Sequence, residues 1–173
     1  MIRKAESQDI DRITEIYDEI HCEEKAGRLS TGWLCGIYPV RKTAELALER
    51  GDLFVFEKDE RVLASAIINQ SQVDVYKNGG WLFPAPDSDV MVLHTLTVSP
   101  KAKKQGVGSA FVAFYEDYAR KNGCTVLRID TNAKNTVARA FYQKLGFREA
   151  GIVPCVFNGI PDVNLVLLEK KLA

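Results

Sequence analysis

The sequence predicts an α/β (α+β) fold, with strands and amphipathic helices alternating through a single domain, residues 1–173. Three observations predict it. The run Val90 to Ala110, V-M-V-L-H-T-L-T-V-S-P-K-A-K-K-Q-G-V-G-S-A, leads from an alternating apolar strand through a basic, glycine-containing turn into a helix. The run Leu127 to Phe147 repeats the order of strand, capped helix and glycine stop. Two strand-like stretches, Leu53 to Glu57 and Val62 to Gln70, flank the polar turn Lys58-Asp59-Glu60 and read as an antiparallel hairpin. At 173 residues, 46% of them hydrophobic, the chain can bury one sizeable core without a second domain.

Taken in order, Ser7 is placed to cap a helix whose apolar positions Ile10, Ile13, Ile16, Tyr17 and Ile20 recur at helical spacing. Residues 27–39 break that period and read as a loop carrying Trp33 and Tyr38. A loop aromatic most often plugs the edge of a core. A second helix follows Pro39, turns Ala44, Ala47 and Leu48 to one side, and ends at Gly51. After the hairpin, residues 71–89 form a long loop, and loops of that length are usually functional or mobile. Its Asp74, Asp87 and Asp89 read as solvated acids that could also attract a cation.

From Val107 the apolar side chains Val107, Ala110, Phe111, Phe114, Tyr115 and Tyr118 recur at helical spacing, and Asn122-Gly123 supplies the stop. Thr125 to Asp130 is the next strand. Asn135 is placed to cap a helix containing Val137, Ala138, Phe141 and Leu145, which Gly146 ends. Two last strands, Phe147 to Phe157 and Asn164 to Lys170, are joined by a turn over residues 158–162.

The turn before Val107 has the properties of a pyrophosphate site. The first N–H groups of a helix have no partner inside it, and the macrodipole adds partial positive charge. Gly106 and Gly108 lack a Cβ and let a bulky anion approach the backbone. Lys101, Lys103 and Lys104 add side-chain charge. Composition excludes several other functions. The formal net charge is zero with the signs interspersed, so the basic footprint of a nucleic-acid binder is missing. Cys22, Cys35, Cys124 and Cys155 show no C-x-x-C spacing and read as free thiols. His21 and His94 stand far apart without a ligand pattern, so no metal site is expected. Neither a signal peptide nor a membrane-spanning run is present, and the expected location is cytoplasmic.

The succession L-T-V-x-P, K-K-Q-G-V-G, then N-x-x-A-x-x-F-Y-x-K-x-G-F resembles the GCN5-related N-acetyltransferase (GNAT) superfamily over roughly the central third of the chain. The resemblance implies a mixed, mostly antiparallel sheet of six to seven strands flanked by about four helices, with a splayed parallel pair that binds acyl-CoA. It implies acetyl-CoA as cosubstrate, with the pantetheine arm along Leu96, Thr97 and Val98. The pyrophosphate would then rest on the backbone of Lys103, Lys104, Gln105, Gly106, Val107, Gly108 and Ser109, and the helix of Asn135, Ala138 and Tyr142 would lie beside the thioester. The family most often has Gln or Arg followed by Gly where this chain has Lys103 and Lys104. The acceptor implied is an amine on a small molecule or a peptide, with no membrane and no nucleic acid involved, and a homodimer remains open.

By the same resemblance Tyr142 is the group that would give a proton to the leaving thiolate. A tyrosine near pKa ~10 and a thiol near ~8.5 need local tuning for that transfer. A lysine-like amine of pKa ~10.4 is neutral in only about one molecule in a few thousand at pH 7, so a proton acceptor is useful. His94, two residues before Leu96, is a candidate for that base. Strict alternation puts it on the face of Val92 and Leu96, where it could equally be a structural strand residue. Direct attack of the amine on the thioester is favoured over a covalent intermediate, since no cysteine sits in a loop motif for acyl transfer. Two rivals share the features. A nicotinamide dinucleotide enzyme would use Gly106-Val107-Gly108 with Asp130 as ribose-binding acid, but Phe111 stands where close packing wants glycine or alanine. A non-catalytic acyl-CoA sensor would keep the loop and transfer nothing.

Overall fold

The computed structural model describes residues 1–173. In chain order the elements are β1 (Ile2–Lys4), α1 (Ile10–Lys25), α2 (Arg41–Arg50), β2 (Leu53–Lys58), β3 (Arg61–Asn69), β4 (Val90–Val98), α3 (Val107–Lys121), β5 (Val126–Asn132), α4 (Thr136–Lys144), β6 (Arg148–Phe157) and β7 (Ile160–Lys171). The strands form one seven-stranded sheet ordered β1-β2-β3-β4-β5-β7-β6. Every neighbouring pair is antiparallel except β4 with β5.

Side-chain alternation assigns the two faces. Met91, Leu93, Leu127, Ile129, Val166 and Leu168 turn toward α3 and α4 and join Phe111, Tyr115 and Tyr142 in one core. On the opposite face Val55, Val62 and Ile67 meet Ile13, Ile16 and Tyr17 of α1 and Ala44 and Ala47 of α2. The remainder of that face, Val90, Val92, Val126, Leu165 and Leu167, is covered by the long loop through Tyr76.

Two expectations about local structure are corrected, and one strand was not foreseen. Strand β1 is too short for its periodicity to show, and it pairs with β2 from Ile2↔Phe56 to Lys4↔Phe54. Ser7 does not cap α1: it opens a 3-10 turn in which the Glu6 N–H donates to Asp9 Oδ2 at 2.8 Å, and Asp9 is buried because Arg3 clamps it at 2.7 Å. Strand β7 starts at Ile160 rather than Asn164, since the hairpin turn needs only Asn158 and Gly159, both at positive φ. Pro161 obscured that start in the sequence.

The 71–89 loop, expected to be functional or mobile, is pinned. The Glu169 carboxylate, fully buried, accepts the N–H groups of Leu82 at 2.7 Å and Phe83 at 3.2 Å and pairs with Arg148. The Arg128 guanidinium lies 4.0 Å from the centre of the Trp81 ring, whose N–H donates to the Tyr76 carbonyl at 2.6 Å. Removing Glu169 would leave two part-buried amides and an arginine without their shared acceptor. Glu169→Ala is therefore expected to lower stability by roughly 2–3 kcal/mol in a denaturant titration, and Glu169→Gln by less, because the amide oxygen can still accept.

Candidate active site

Strands β4 and β5 run side by side from Val90↔Val126 to Leu93↔Ile129 and then separate, although β4 continues to Val98 and β5 to Asn132. Their outer edges stay paired: β4 with β3 as far as Val98, and β5 with β7 as far as Asn132. The parting strands open a cavity of about 1630 Å³. That exceeds the ~300–1,000 Å³ typical for one drug-sized ligand, so two substrates can be held together.

A bulge shapes the β4 side. Between Ser65↔Thr97 and Ile67↔His94, β3 has one residue and β4 has two. Thr95 takes φ of 50° to absorb the extra residue. Leu96 therefore turns toward the α3 and α4 core while His94 faces the other way. This corrects the alternation expected from the sequence, which put His94 and Leu96 on one face.

At the cavity's other end the chain enters α3. Gly106, the residue before the helix, has φ of 73°, and Lys104 before it has φ of 64°. The Ala102 amide donates to Ser99 and the Ala110 amide to Gly106, but no amide from Lys103 to Ser109 meets an acceptor of the protein. A Cβ on Gly108 would come 3.3 Å from the Phe141 ring, so this glycine also lets α3 and α4 approach. The lysines contribute less than their number suggests. Lys101 is drawn to Glu19 at 3.0 Å and Lys103 lies 3.8 Å from Glu23, leaving Lys104 as the unpaired cation.

Of the residues predicted from sequence, His94, Leu96, Val98, Lys103, Lys104, Gly106, Val107, Gly108, Ser109, Asn135, Ala138 and Tyr142 line the cavity. Thr97 and Gln105 do not. The Thr97 side chain is buried on the opposite side, its hydroxyl 2.8 Å from Ser65 Oγ, and Gln105 points to solvent. Asn135 caps α4 by accepting the Ala138 N–H at 3.1 Å.

Tyr142 is buried beside Phe141 and Phe147, with its ring edges packed on theirs. Burial, and then the charge of Asp130, pushes its phenol above the ordinary tyrosine range, so it keeps its proton at neutral pH. His94 is set among Asn69 and Ser71. Since the Asn69 amide nitrogen donates to Asp52 at 2.8 Å, its oxygen faces His94 Nε2 at 2.9 Å, which makes Nε2 the protonated nitrogen. Burial lowers the His94 pKa to about 4.

Asp130 was not singled out from the sequence as a candidate proton acceptor. It stands where β5 leaves β4, deep among protein atoms, yet keeps part of its surface toward the cavity. Tyr76 donates to its Oδ2 at 2.7 Å, but no lysine or arginine pairs with it. Burial pushes it up to about 6, against the partial opposition of the Tyr76 bond. The available signal was V-L-R-I-D itself: Arg128 and Asp130 alternate out of an otherwise apolar central strand, and charges there need a reason.

Trp33 and Tyr38 both reach the cavity, with ring centres 6.0 Å apart, and Tyr38 meets Phe157 edge-on at 6.1 Å. The Tyr38 hydroxyl is hydrogen-bonded to Thr95 Oγ1 at the bulge. Asp74 lines the rim, whereas Asp87 accepts from Gln72 and Asp89 from Ser88.

The sequence profile of the acetyltransferase (GNAT) family matches residues 12–147. The aminoglycoside N(6')-acetyltransferase type 1 of Klebsiella aerogenes is 37% identical over 67 residues, 39% of this chain and 44% of the relative. The [ribosomal protein bS18]-alanine N-acetyltransferase of Escherichia coli K12 is 36% identical over 64 residues, 37% of this chain and 43% of the relative. The matched stretch thus spans less than half the length of each of these curated relatives. A putative acetyltransferase from Salmonella typhimurium, solved with its cofactor acetyl-CoA, superposes with a TM-score of 0.69 at 18% identity, covering all of this chain and 94% of that one.

The raised Asp130 pKa makes a stability claim. Its folded value of about 6 exceeds the ordinary 3.8, so the fold favours the protonated form, and ionisation at higher pH costs about 3 kcal/mol. Asp130→Asn keeps an acceptor for Tyr76 and removes the charge. Its melting temperature is expected to exceed that of the parent at pH 7.5, with the difference shrinking as pH falls through 6 and vanishing near 4.

Proposed function

The chain belongs to the acetyltransferase (GNAT) family, and from that premise we propose that it moves the acetyl group of acetyl-CoA to a primary amine by direct attack in a ternary complex. The observation that carries this reading is the run of unpaired amides from Lys103 to Ser109 at the mouth of a cavity held open by two parting strands. Amides at a helix N-terminus are suited to a pyrophosphate, and Lys104 adds the unpaired positive charge beside them. The β4 backbone from Leu96 to Val98, no longer bonded to β5, offers the amide-rich pantetheine arm the partners an added strand would have. Both relatives' names specify amine acceptors.

Acetyl-CoA supplies the activated thioester, and the chain's own groups manage position and protons. Asp130 takes a proton from the incoming ammonium. At about 6 its pKa lies nearer the operating pH than the value of about 4 for His94, which makes Asp130 the stronger base and assigns His94 to holding Asn69 and Ser71. The neutral amine then forms the N–C bond as the C–S bond breaks, and an N–H of the bulge near Leu96 steadies the developing oxyanion. Tyr142 gives its proton to the departing sulfur and recovers one from the nitrogen, so the products are an amide, a thiol and the proton left on Asp130. Desolvation closes the gap between acid and base, since it lowers the amine's pKa and raises that of the carboxylate.

Acetyl-CoA is expected to raise the melting temperature and NADH is not, as linkage requires for a site formed only in the folded state; equal shifts would remove the assignment. In a thiol-release assay Tyr142→Phe is expected to slow turnover by at least about tenfold. The rate should climb as pH rises through about 6, where Asp130 loses its proton. That limb should disappear in Asp130→Asn and persist in His94→Gln; the opposite pattern would return the base role to His94.

A further inference from the structure

We infer that the acceptor is a small organic cation, seated with its ammonium group against Asp130 beneath the loop between α1 and α2, and neither a free amino acid nor a protein N-terminus. This rests on the acyl-transfer reading above and narrows it.

Charge is the first argument. Asp130 is the only deep carboxylate of the acceptor half, and it has a phenol for company but no cation. An isolated charge in such a place favours a ligand of opposite sign, because pairing recovers what desolvation costs. A carboxylate on the ligand would fare badly. Arg28 is held by Glu23 through two bonds of 2.8 and 3.0 Å, and Arg50 by Asp52 through bonds of 2.9 and 3.2 Å. Lys42 remains, in the exposed first turn of α2 rather than near Asp130.

Shape is the second. The walls that accompany Asp130 are the rings of Trp33, Tyr38 and Phe157, set edge to face. Aromatic faces attract organic cations and have nothing to offer a carboxylate.

Closure is the third. The loop between α1 and α2 touches both far sides of the acceptor half. A Cβ on Gly32 would fall 2.2 Å from Asn132 Nδ2 at the end of β5, and a Cβ on Gly159, in the β6–β7 turn, would fall 3.3 Å from Ile37. Glu24 fixes the loop in that position by accepting the N–H groups of Thr31 at 2.7 Å and Gly32 at 3.1 Å and the Thr31 hydroxyl at 2.9 Å. With the loop held against both sides, this part of the cavity leaves less room for an extended polypeptide than for a compact amine.

The test uses matched pairs that differ by one carboxylate: tyramine with tyrosine, and 1,4-diaminobutane with ornithine. A peptide beginning with tyrosine completes the set. Thiol release from acetyl-CoA is measured for each, and in parallel the melting temperature of the CoA-bound protein with each compound. Each amine is expected to exceed its amino acid by at least about tenfold in kcat/KM, with the peptide below the amine, and to give the larger thermal shift. Should turnover be undetectable, the thermal shifts decide alone. In Asp130→Asn, which also removes the proposed base, the thermal shifts are compared: those of the amines should fall to those of their amino acids while acetyl-CoA affinity is unchanged. Equal or better use of the amino acids or the peptide, or no thermal shift with either amine, would overturn the inference. If acetyl-CoA itself does not bind, the acyl-transfer reading fails; if it binds and the preference is missing, only this inference fails.

Discussion

The constraint on which the site depends is the early end of one hydrogen-bonded ladder. Beyond Leu93 and Ile129, β4 and β5 no longer pair, yet each remains bonded to its outer neighbour. The sheet therefore opens at its centre without losing continuity at its edges. Backbone groups inside a sheet are rarely left without partners, so an edge of this kind is prepared for something that can bond to main chain. The bulge at Thr95 serves the same opening. A β-branched residue at φ of 50° is an outlier that persists only when its surroundings hold it. Here the holding group is the Tyr38 hydroxyl.

Burial tunes the three titratable groups of the centre, and its sign depends on which form is charged. It raises Asp130 and Tyr142, whose ionised forms are anions, and lowers His94, whose protonated form is a cation. One dry environment thus yields a carboxylate able to take a proton near neutral pH, a phenol that retains one, and an imidazole too weakly basic to compete. Asp130 also contributes to the rise at Tyr142, so the two groups are electrostatically linked. Without a cation beside it, Asp130 carries a desolvation cost that its bond from Tyr76 offsets only in part.

Much of this was legible in the chain. Glycine at residue 106 and the unpaired amides after it follow from local rules, because helix N-termini lack partners whatever the rest of the molecule does. The capping role of Asn135 and the stop at Gly51 are equally local. What escaped depends on residues distant in sequence. His94 and Leu96 were placed on one face because alternation assumes a regular strand, and the bulge is visible only once β3 is aligned beside β4. Lys101 and Lys103 looked free because their partners, Glu19 and Glu23, come from α1. Asp130 was noticed as a strand end, but its chemistry depends on what surrounds it, and no local pattern reports burial by Tyr76 and Tyr38.

Tyr38 ties these threads into one mechanical unit. Its ring belongs to the acceptor wall with Trp33 and Phe157, and its hydroxyl belongs to the bulge that directs Leu96 into the gap. The loop that carries it is anchored through Glu24 to α1 and rests on Asn132 of β5. Packed interiors respond to displacement by switching between discrete arrangements rather than by yielding gradually. The loop that carries Tyr38 and the bulge at Thr95 are such packed neighbours, in contact through this hydroxyl. The Tyr38 phenol thus joins the aromatic wall of the cavity to the strand that forms one side of the gap.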